Sequence, residues 1–431
     1  MGDGLAGCEA AYQIAKRGIK VKLYEMKPKK FSPAHTNSNL AEIVCSNSFK
    51  SNSISNACGL LKEELRRLDS LLIKVADEVA VPAGQALAVD RDKFSKKVTE
   101  EIEKNEKIEI IKEEVTQIPE VGIVIISTGP LTSDSLAKQI AEITGEKRLF
   151  FYDAAAPIIE KDSIYMNIAF YGDRYGKGDN SYINLPMNQE EYKIFYHELI
   201  KAEVVTLHEF EKREIFEGCM PIEVMAKRGE ETMRFGPLKP IGFIEPRTGK
   251  RPYAIVQLRQ DNSSGTLFNM VGFQTNLKFG EQKRVFSLIP GLKNVEFAKY
   301  GVMHRNTYIN SPELLNETYQ LKKQKRIYFA GQITGVEGYV ESISSGLVAG
   351  INAANQILGK EKIIFPKETM IGTLASYIST LNKKFQPMNA NFGILPKLDE
   401  EIKDKKTKYE KLSQRALNSI GLDFFCQRQY N

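Results

Sequence analysis

The sequence of 431 residues lacks the features of membrane proteins and of disulfide-stabilised secreted proteins. Apolar residues make up 42%, but no apolar run approaches about 18 residues without a charge, so we expect no membrane span. No secretory leader is visible. The five cysteines show neither paired nor C-x-x-C spacing, which predicts a reducing, cytoplasmic setting without disulfides or a zinc site.

Histidine is also scarce, and the excess of positive charge is small. The four histidines have no metal-ligand spacing, so we predict no metal. The net charge of +6 permits a polyanionic partner such as RNA, but a lysine-rich solvated surface gives the same sum. The length is sufficient for two or three domains with substantial cores.

The first residues carry a nucleotide-binding pattern. Residues 2–7 read GDGLAG and supply the three glycines of G-x-G-x-x-G, where side chains would hold a pyrophosphate away from the backbone amides and the positive end of a helix. A strand over 19–24 ends in an acidic residue, 18 positions beyond the last glycine, where a carboxylate can bind a ribose hydroxyl. The pattern predicts an FAD or NAD site that includes Gly2, Gly4, Leu5, Ala6, Gly7 and Glu25.

Two features depart from the usual form of this pattern. A hydrophobic strand is expected directly before Gly2, yet only Met1 precedes it, and a sheet without its central strand has two rows of unpaired backbone groups. Asp3 brings a carboxylate near the expected diphosphate, which is unfavourable unless the side chain points away. Two explanations stay open: a start site placed several residues late, or a weakened cofactor site.

The rest of the chain alternates between two styles of folding. Helical patterns over 56–75 and 90–104 and strands over 108–111 and 121–127 indicate a doubly wound region. From residue 151 to about 291, short strands, tyrosines and turns predict an inserted α+β domain. A strand over 326–330 and a small-residue helix over 342–358 then resume the doubly wound pattern.

We therefore predict an α/β fold with a discontinuous, Rossmann-type FAD-binding domain at 1–150 and 295–400. The inserted α+β domain, for substrate or RNA, occupies 151–294, and residues 401–431 form a charged tail. Strand-then-glycine turns predict further cofactor contacts at Thr128, Gly129, Gly331, Gly335 and Gly338.

Five further motifs carry a resemblance to a known family. They read EIVCSNS at 42–48, EGCMP at 217–221, VMHRNTY at 302–308, GVEGY at 335–339 and FQPMNAN at 385–391. Together with the glycine pattern they resemble the folate- and FAD-dependent tRNA uracil-5-methyltransferases (TrmFO), over essentially the whole chain. A more distant resemblance extends to flavoproteins that modify the tRNA wobble uridine.

The resemblance implies an enzyme that forms 5-methyluridine in RNA, in the T-loop of tRNA or in ribosomal RNA. It implies methylenetetrahydrofolate as the carbon donor, FAD as the cofactor and NADH or NADPH as the reductant. Methylation needs a thiolate on carbon 6, because carbon 5 of uracil is a poor nucleophile. Cys45 and Cys219 match the family's two cysteines. We favour Cys219 as the nucleophile and Cys45 as its proton-handling partner, and the reverse order stays open.

Four residues of these motifs are candidate substrate contacts: Tyr339, His304, Arg305 and Asn389. The Tyr339 ring could stack on the pterin of folate or fill the core. His304 and Arg305 could meet a phosphate or a folate carboxylate, or form a structural ion pair.

A basic stretch in the inserted domain could follow an RNA backbone or form a solvated face. It contains Arg247, Lys250, Arg251, Tyr253 and Arg259. The sequence leaves two other functions open. A catalytically weakened RNA-binding relative would account for a poor cofactor site, and an oxidoreductase for small molecules leaves the cysteine motifs unexplained.

Overall fold

The structure is a computed structural model that describes residues 1–145, 149–176, 180–205, 220–383 and 385–420. Of residues 149–153, 304 and 305 it describes the backbone only. The described residues form two large hydrophobic cores. One core is built from residues 1–140 and 308–420, and the other from residues 156–295.

The N-terminal region contributes helices and short strands to the first core. Its elements are α1 (Leu5–Lys16), β1 (Val21–Glu25), β2 (Ser48–Ser51), α2 (Ala57–Arg67), α3 (Leu71–Glu78), β3 (Ala80–Val81), β4 (Ala86–Val89), α4 (Arg91–Glu103), β5 (Ile108–Lys112), β6 (Val124–Ile126) and α5 (Asp134–Thr144). The middle of the chain contributes β7 (Leu149–Ala154), β8 (Ile158–Glu160), β9 (Phe170–Tyr171), β10 (Ile183–Met187), α6 (Gln189–Lys201), α7 (Ile222–Ala226), α8 (Thr232–Phe235), β11 (Ala254–Gln260), β12 (Leu267–Met270), α9 (Phe279–Phe286) and β13 (Phe297–Lys299). The C-terminal region contributes β14 (Met303–Tyr308), α10 (Ser311–Leu314), β15 (Ile327–Phe329), α11 (Tyr339–Ile357), α12 (Met370–Ser379) and α13 (Lys405–Ser419).

The expected single helix over 56–75 is wrong, because the chain breaks into α2 and α3. Asp69 has φ of 56°, a left-handed conformation that ends the first helix. Ser70 then caps α3 by accepting a hydrogen bond from the Ile73 N–H. The leucine pattern continues through both helices because both pack on the same core.

The doubly wound part contains two parallel strand pairs, β1 with β5 and β6 with β15. The backbone of residues 1 and 2 joins the two pairs at their carboxyl ends. The Met1 ammonium donates to Ile125 O, and Met1 O accepts from Ser127 N. Gly2 N donates to Tyr24 O. Each of these three hydrogen bonds is 2.9 Å long. Away from this bridge, β1 and β6 face each other across a cavity of about 300 Å³.

Helices α1 and α11 pack closely between these strands and the rest of the domain. Gly346 and Gly350 of α11 lie on the backbone of α1. A Cβ at Gly346 would be 2.3 Å from Ala6 O, and one at Gly350 would be 2.8 Å from Ala10 Cα. The two glycines therefore allow the backbones of α1 and α11 to come into direct contact.

The inserted part is a six-stranded antiparallel sheet in the order β13-β8-β12-β11-β10-β9. Its core includes apolar residues of α6, α7 and α9. Strand β13 ends at Lys299, five residues beyond the boundary that we placed at 294. Strands β7 and β14, which enter and leave this part, pair antiparallel as a two-stranded ribbon. Among the described residues, no helix has the length and apolar character needed to cross a membrane.

Candidate nucleotide groove and cysteine cavity

A groove opens at the N-terminus of α1, and we call it the dinucleotide groove. Gly2 has φ of 93°, and a Cβ there would be 2.7 Å from Ser127 O. A Cβ at Gly7 would be 1.9 Å from Gly2 O. The turn is therefore possible only with glycine at both positions, and it leaves the first amides of α1 open to the groove. These amides and the positive end of α1 could hold a diphosphate.

The predicted residues of the glycine pattern all take part in this turn. Gly4 is the N-cap of α1, with Leu5 and Ala6 directly after it. Gly2, Gly4, Leu5 and Ala6 line the groove, whereas Gly7 lies behind it against Gly2.

Glu25 lies at the end of β1 and lines the same groove. Its carboxylate accepts hydrogen bonds from Asp3 N at 3.1 Å and Lys27 N at 2.9 Å. Burial acts to raise the pKa of Glu25, but its hydrogen bonds with Asp3 and Lys27 outweigh burial and hold the pKa below its ordinary value. Glu25 is thus an oriented carboxylate at the position expected for binding a ribose.

The opposite wall of the groove comes from two glycine turns. Thr128 and Gly129 follow β6 and line the groove, with Gly129 at φ of 67°. Gly331 follows β15, and a Cβ there would lie 3.1 Å from the Cβ of Ala6. Gly335 lies away from the groove. A Cβ there would be 2.4 Å from the Phe385 ring, and Gly335 lines neither the groove nor the cavity next to it, described below.

A second cavity, of about 440 Å³, adjoins the groove, and we call it the cysteine cavity. Cys45 lines it, together with Gly338 and Asn389. The two spaces share a wall made of Val44, Pro130, Leu131, Gln332, Tyr339 and Ser342. A group bound in the groove can therefore extend toward Cys45.

Tyr339, the first residue of α11, holds the loop that carries Cys45. Its hydroxyl oxygen accepts hydrogen bonds from Cys45 N at 2.9 Å and Ser46 N at 3.0 Å. Its ring packs 5.6 Å from that of Phe49 and lines both spaces. Burial raises the pKa of Tyr339, so the hydroxyl keeps its proton. Because the N–H groups of Cys45 and Ser46 both donate to the hydroxyl oxygen, the hydroxyl proton can be donated to an acceptor in the cavity.

Two arginines that sequence reasoning missed as site residues brace the same loop. Arg91 donates to Ile43 O at 2.9 Å and to Cys45 O at 3.4 Å, while its Nε donates to Asp261 beyond β11. Arg259 is only 7% exposed and donates to the side chains of Asn47 at 3.0 Å and Ser46 at 2.7 Å. Both arginines connect the cysteine loop to the inserted part.

The burial of Arg259 corrects the reading of its stretch as a continuous solvated or RNA-facing surface. Arg247, Lys250 and Arg251 are exposed, in agreement with such a surface. The ring of Tyr253 instead packs against Arg234, whose Cζ lies 3.6 Å from the centroid of that ring. The apolar residues at 254–256 were the available signal that Arg259 belongs to a central strand.

The remaining cavity wall contains an ion pair and an amide. Lys50 Nζ lies 3.5 Å from a carboxylate oxygen of the buried Glu341. Burial acts to lower the pKa of Lys50, but the charge of Glu341 outweighs it and raises the pKa. Asn389 donates to Glu337 O at 2.6 Å, which fixes the turn before α11.

The structure describes no side chain for three of the predicted site residues. Cys219 lies outside the described residues, and His304 and Arg305 are described only as backbone within β14. Close to Cys219 in sequence, Ile222 N donates to the carbonyl of Gln274, which lines the cysteine cavity. Within the described ranges, no group of three His, Cys, Asp or Glu side chains is arranged to hold a metal ion.

The fold and the groove define a class: a Rossmann-type dinucleotide-binding protein with an inserted antiparallel sheet. The family model described as Glucose inhibited division protein A matches residues 1–361. A relative from Acetivibrio thermocellus is 63% identical over 97% of this chain and 97% of its own length. One from Bacillus subtilis (strain 168) is 61% identical over 97% of both chains. Both are named methylenetetrahydrofolate--tRNA-(uracil-5-)-methyltransferase TrmFO. The chain belongs to the Glucose inhibited division protein A family and, within it, to the TrmFO proteins.

Solved structures agree on the fold. The Aquifex aeolicus GidA structure in the form I crystal superposes with a TM-score of 0.71 at 17% identity, covering 98% of this chain and 75% of that one. This likeness supports the predicted Rossmann-type architecture, which is thereby confirmed.

Proposed function

We infer that this chain is a methylenetetrahydrofolate- and FAD-dependent methyltransferase that forms 5-methyluridine in tRNA. Its membership of the TrmFO proteins, at about 60% identity over nearly full length, supports this inference. The structural observation that carries it is the wall shared by the dinucleotide groove and the cysteine cavity.

FAD fits the groove. The first amides of α1, which begins at Leu5, would hold its diphosphate, and Glu25 would hold the adenosine ribose. When bound and reduced with NADH or NADPH, FAD would supply the electrons and a carrier for the carbon unit taken from methylenetetrahydrofolate. The cysteine cavity of about 440 Å³ is within the ordinary size range of small-ligand sites and would take the folate pterin and the uracil.

We propose that the two cysteines act on opposite steps of the uracil chemistry. The Cys219 sulfur adds to carbon 6 of the ring, and the electron pair of the double bond moves to carbon 5, which bonds to the methylene carbon as that carbon's bond to its carrier breaks. Cys45 takes the proton from carbon 5. Two electrons, which the reduced cofactor would supply, convert the methylene to a methyl group as the bond between sulfur and carbon 6 breaks and the ring is restored. Tyr339, Arg91 and Arg259 hold the Cys45 loop by the contacts given above, so the thiol stays oriented.

We further propose that Tyr339 offers its ring to the pterin and that Asn389, His304 and Arg305 contact the substrates. Tyr339 and Asn389 both line the cysteine cavity, which supports this assignment for those two residues. The T-loop uridine of tRNA is the proposed target, with ribosomal RNA as the alternative. A cytoplasmic location follows from that substrate.

The test is a covalent adduct with tRNA that contains 5-fluorouridine. Fluorine cannot leave carbon 5 as a proton does, so the sulfur adduct accumulates and is detected by denaturing gels and mass spectrometry. Wild-type protein loaded with FAD and supplied with folate should form the adduct through Cys219, and Cys219→Ala should form none. Cys58→Ala is the matched control, because Cys58 is 3% exposed and donates to Phe49 O within the core. An adduct that persists in Cys219→Ala would contradict the assignment.

The runner-up, an RNA-binding relative with a weakened cofactor site, makes a different prediction. Such a protein would be colourless after purification yet would still shift tRNA in a gel. A yellow protein with flavin absorbance favours the enzyme.

A further inference from the structure

Asp3, the unusual residue of the glycine pattern, lies buried at the ribose end of the dinucleotide groove. Its side chain is 4% exposed, and its Oδ1 lies 3.6 Å from Lys27 Nζ. Its carboxyl group is hydrogen-bonded to that of Glu25, whose Oε2 also accepts from Asp3 N. The other oxygen of Asp3, Oδ2, has no hydrogen-bond partner among the described residues.

Two carboxyl groups in hydrogen-bond contact cannot both be ionised without strong repulsion, so one of them keeps a proton. Burial, followed by the charge of Glu25, raises the pKa of Asp3 well above its ordinary value. Glu25 has the opposite shift. Of the two, Asp3 is the carboxyl group that keeps a proton more readily, and in that state its O–H can donate to the Glu25 carboxylate.

Other charged or titratable groups also face Asp3. The ammonium groups of Lys27 and of Lys112 on β5 favour the ionised carboxyl. The buried Met1 ammonium, whose pKa burial lowers to about 6, interacts with both Asp3 and Glu25. The thiol of Cys8 on α1 lies close by, and burial raises its pKa well above the ordinary value, so it stays neutral. Lys27 is thus the nearest compensating charge for the pair.

We propose that Asp3 is a positioning residue for FAD: its protonated carboxyl holds the Glu25 carboxylate toward the ribose hydroxyls, so the affinity for FAD falls when Asp3 loses its proton. This inference rests on the proposed FAD site. With the proton in place, the pair carries one negative charge and accepts the ribose. Without it, two carboxylates lie in contact, Glu25 is pushed from its place, and the FAD diphosphate meets a second negative charge nearby.

The experiment measures release of FAD from the holoprotein between pH 6.5 and pH 9 by recovery of flavin fluorescence, against free FAD at each pH. Asp3→Asn keeps a donor to Glu25 but cannot ionise, and Asp3→Ala removes the donor. For wild type, the Kd should rise by about tenfold or more across this range, the equivalent of one pKa unit. For Asp3→Asn it should change by less than about threefold. Asp3→Ala should bind more weakly throughout, with little dependence on pH.

Circular dichroism at each pH verifies that the variants stay folded, and the comparison of wild type with Asp3→Asn stands even if Asp3→Ala does not fold. Parallel pH dependence in wild type and Asp3→Asn would overturn this inference while leaving the proposed FAD site intact. Failure of the wild type to bind FAD at any pH would overturn the proposed function and this inference with it.

Discussion

Replacing Tyr339 with Phe tests how the structure orients Cys45. The hydroxyl of Tyr339 is the acceptor for the N–H groups of Cys45 and Ser46, at 2.9 and 3.0 Å. The substitution removes one oxygen and leaves the ring, with its packing on Phe49, in place. The expected result is a Cys45 loop that opens more often, without a change of fold.

The magnitude follows from the two lost hydrogen bonds. Each buried N–H left without a partner costs about 1–3 kcal/mol. The loop at Cys45 and Ser46 is half-buried, so water can replace part of the loss. We therefore take about 2 kcal/mol for the pair, which corresponds to a change of about 30-fold in the loop-opening equilibrium.

The assay is alkylation of Cys45 by iodoacetamide at fixed pH, followed by peptide mass spectrometry. Cys58 in the same protein is the internal reference, because it is buried. Tyr377→Phe is the matched control: it also loses one hydroxyl, but that hydroxyl donates to Gln386 O at the surface. Tyr339→Phe should alkylate Cys45 at least about tenfold faster than either wild type or the control, within the range of that equilibrium shift. Equal rates, within twofold, would refute the bracing role of Tyr339.

Two predictions concern stability. Gly346→Ala should destabilise the nucleotide-binding part by about 2–3 kcal/mol in urea, because its Cβ would be 2.3 Å from Ala6 O. The control Gly280→Ala has open space within α9 and should be neutral or slightly stabilising. Equal unfolding midpoints for Gly346→Ala and wild type would contradict this close approach. Glu64 is fully buried and accepts from Met370 N at the start of α12, and burial raises its pKa to about 8. A raised pKa gives stability that is complete below the ordinary value near 4.5 and is lost as the pH rises through about 8. Glu64→Gln should therefore lose less thermal stability than wild type between pH 6 and pH 9, and identical pH profiles of Tm would contradict this.

Local sequence patterns were sufficient to predict the glycine turn and the acidic residue that form the dinucleotide groove. Glycine at positions 2 and 7 is dictated by backbone distances, and the acid at position 25 by the length of one helix and one strand. These requirements act over about 25 residues, so a spacing pattern records them. Gly335 had the same appearance, yet it serves contact with Phe385, which lies 50 residues further on.

The bracing of the cysteine loop could not be predicted in the same way. Arg91, Arg259 and Tyr339 reach Cys45 and its neighbours from three distant segments. A charged residue in a strand is usually solvated, and only the position of β11 inside the sheet makes Arg259 a buried donor. Such contacts depend on tertiary packing, which a spacing pattern does not contain.

The helix break at Asp69 had a similar origin. The leucine pattern of α2 and α3 has the same apolar period on both sides of the break, so it predicted one helix. Glu9 of α1 accepts hydrogen bonds from Ser70 Oγ and Leu72 N, which fixes the start of α3. The partner that starts the second helix is thus about 60 residues away in sequence.

The most direct measurement follows the carbon itself. Unmodified tRNA is incubated with the FAD-loaded protein, NADPH and methylenetetrahydrofolate labelled with carbon-13 at the methylene group, and the nucleosides are analysed by mass spectrometry. Our account predicts labelled 5-methyluridine with wild type and with Cys58→Ala, and none with Cys45→Ala or Cys219→Ala. Unlabelled tRNA after reaction with yellow, folded wild-type protein would contradict it, and so would labelled 5-methyluridine formed by Cys45→Ala or by Cys219→Ala.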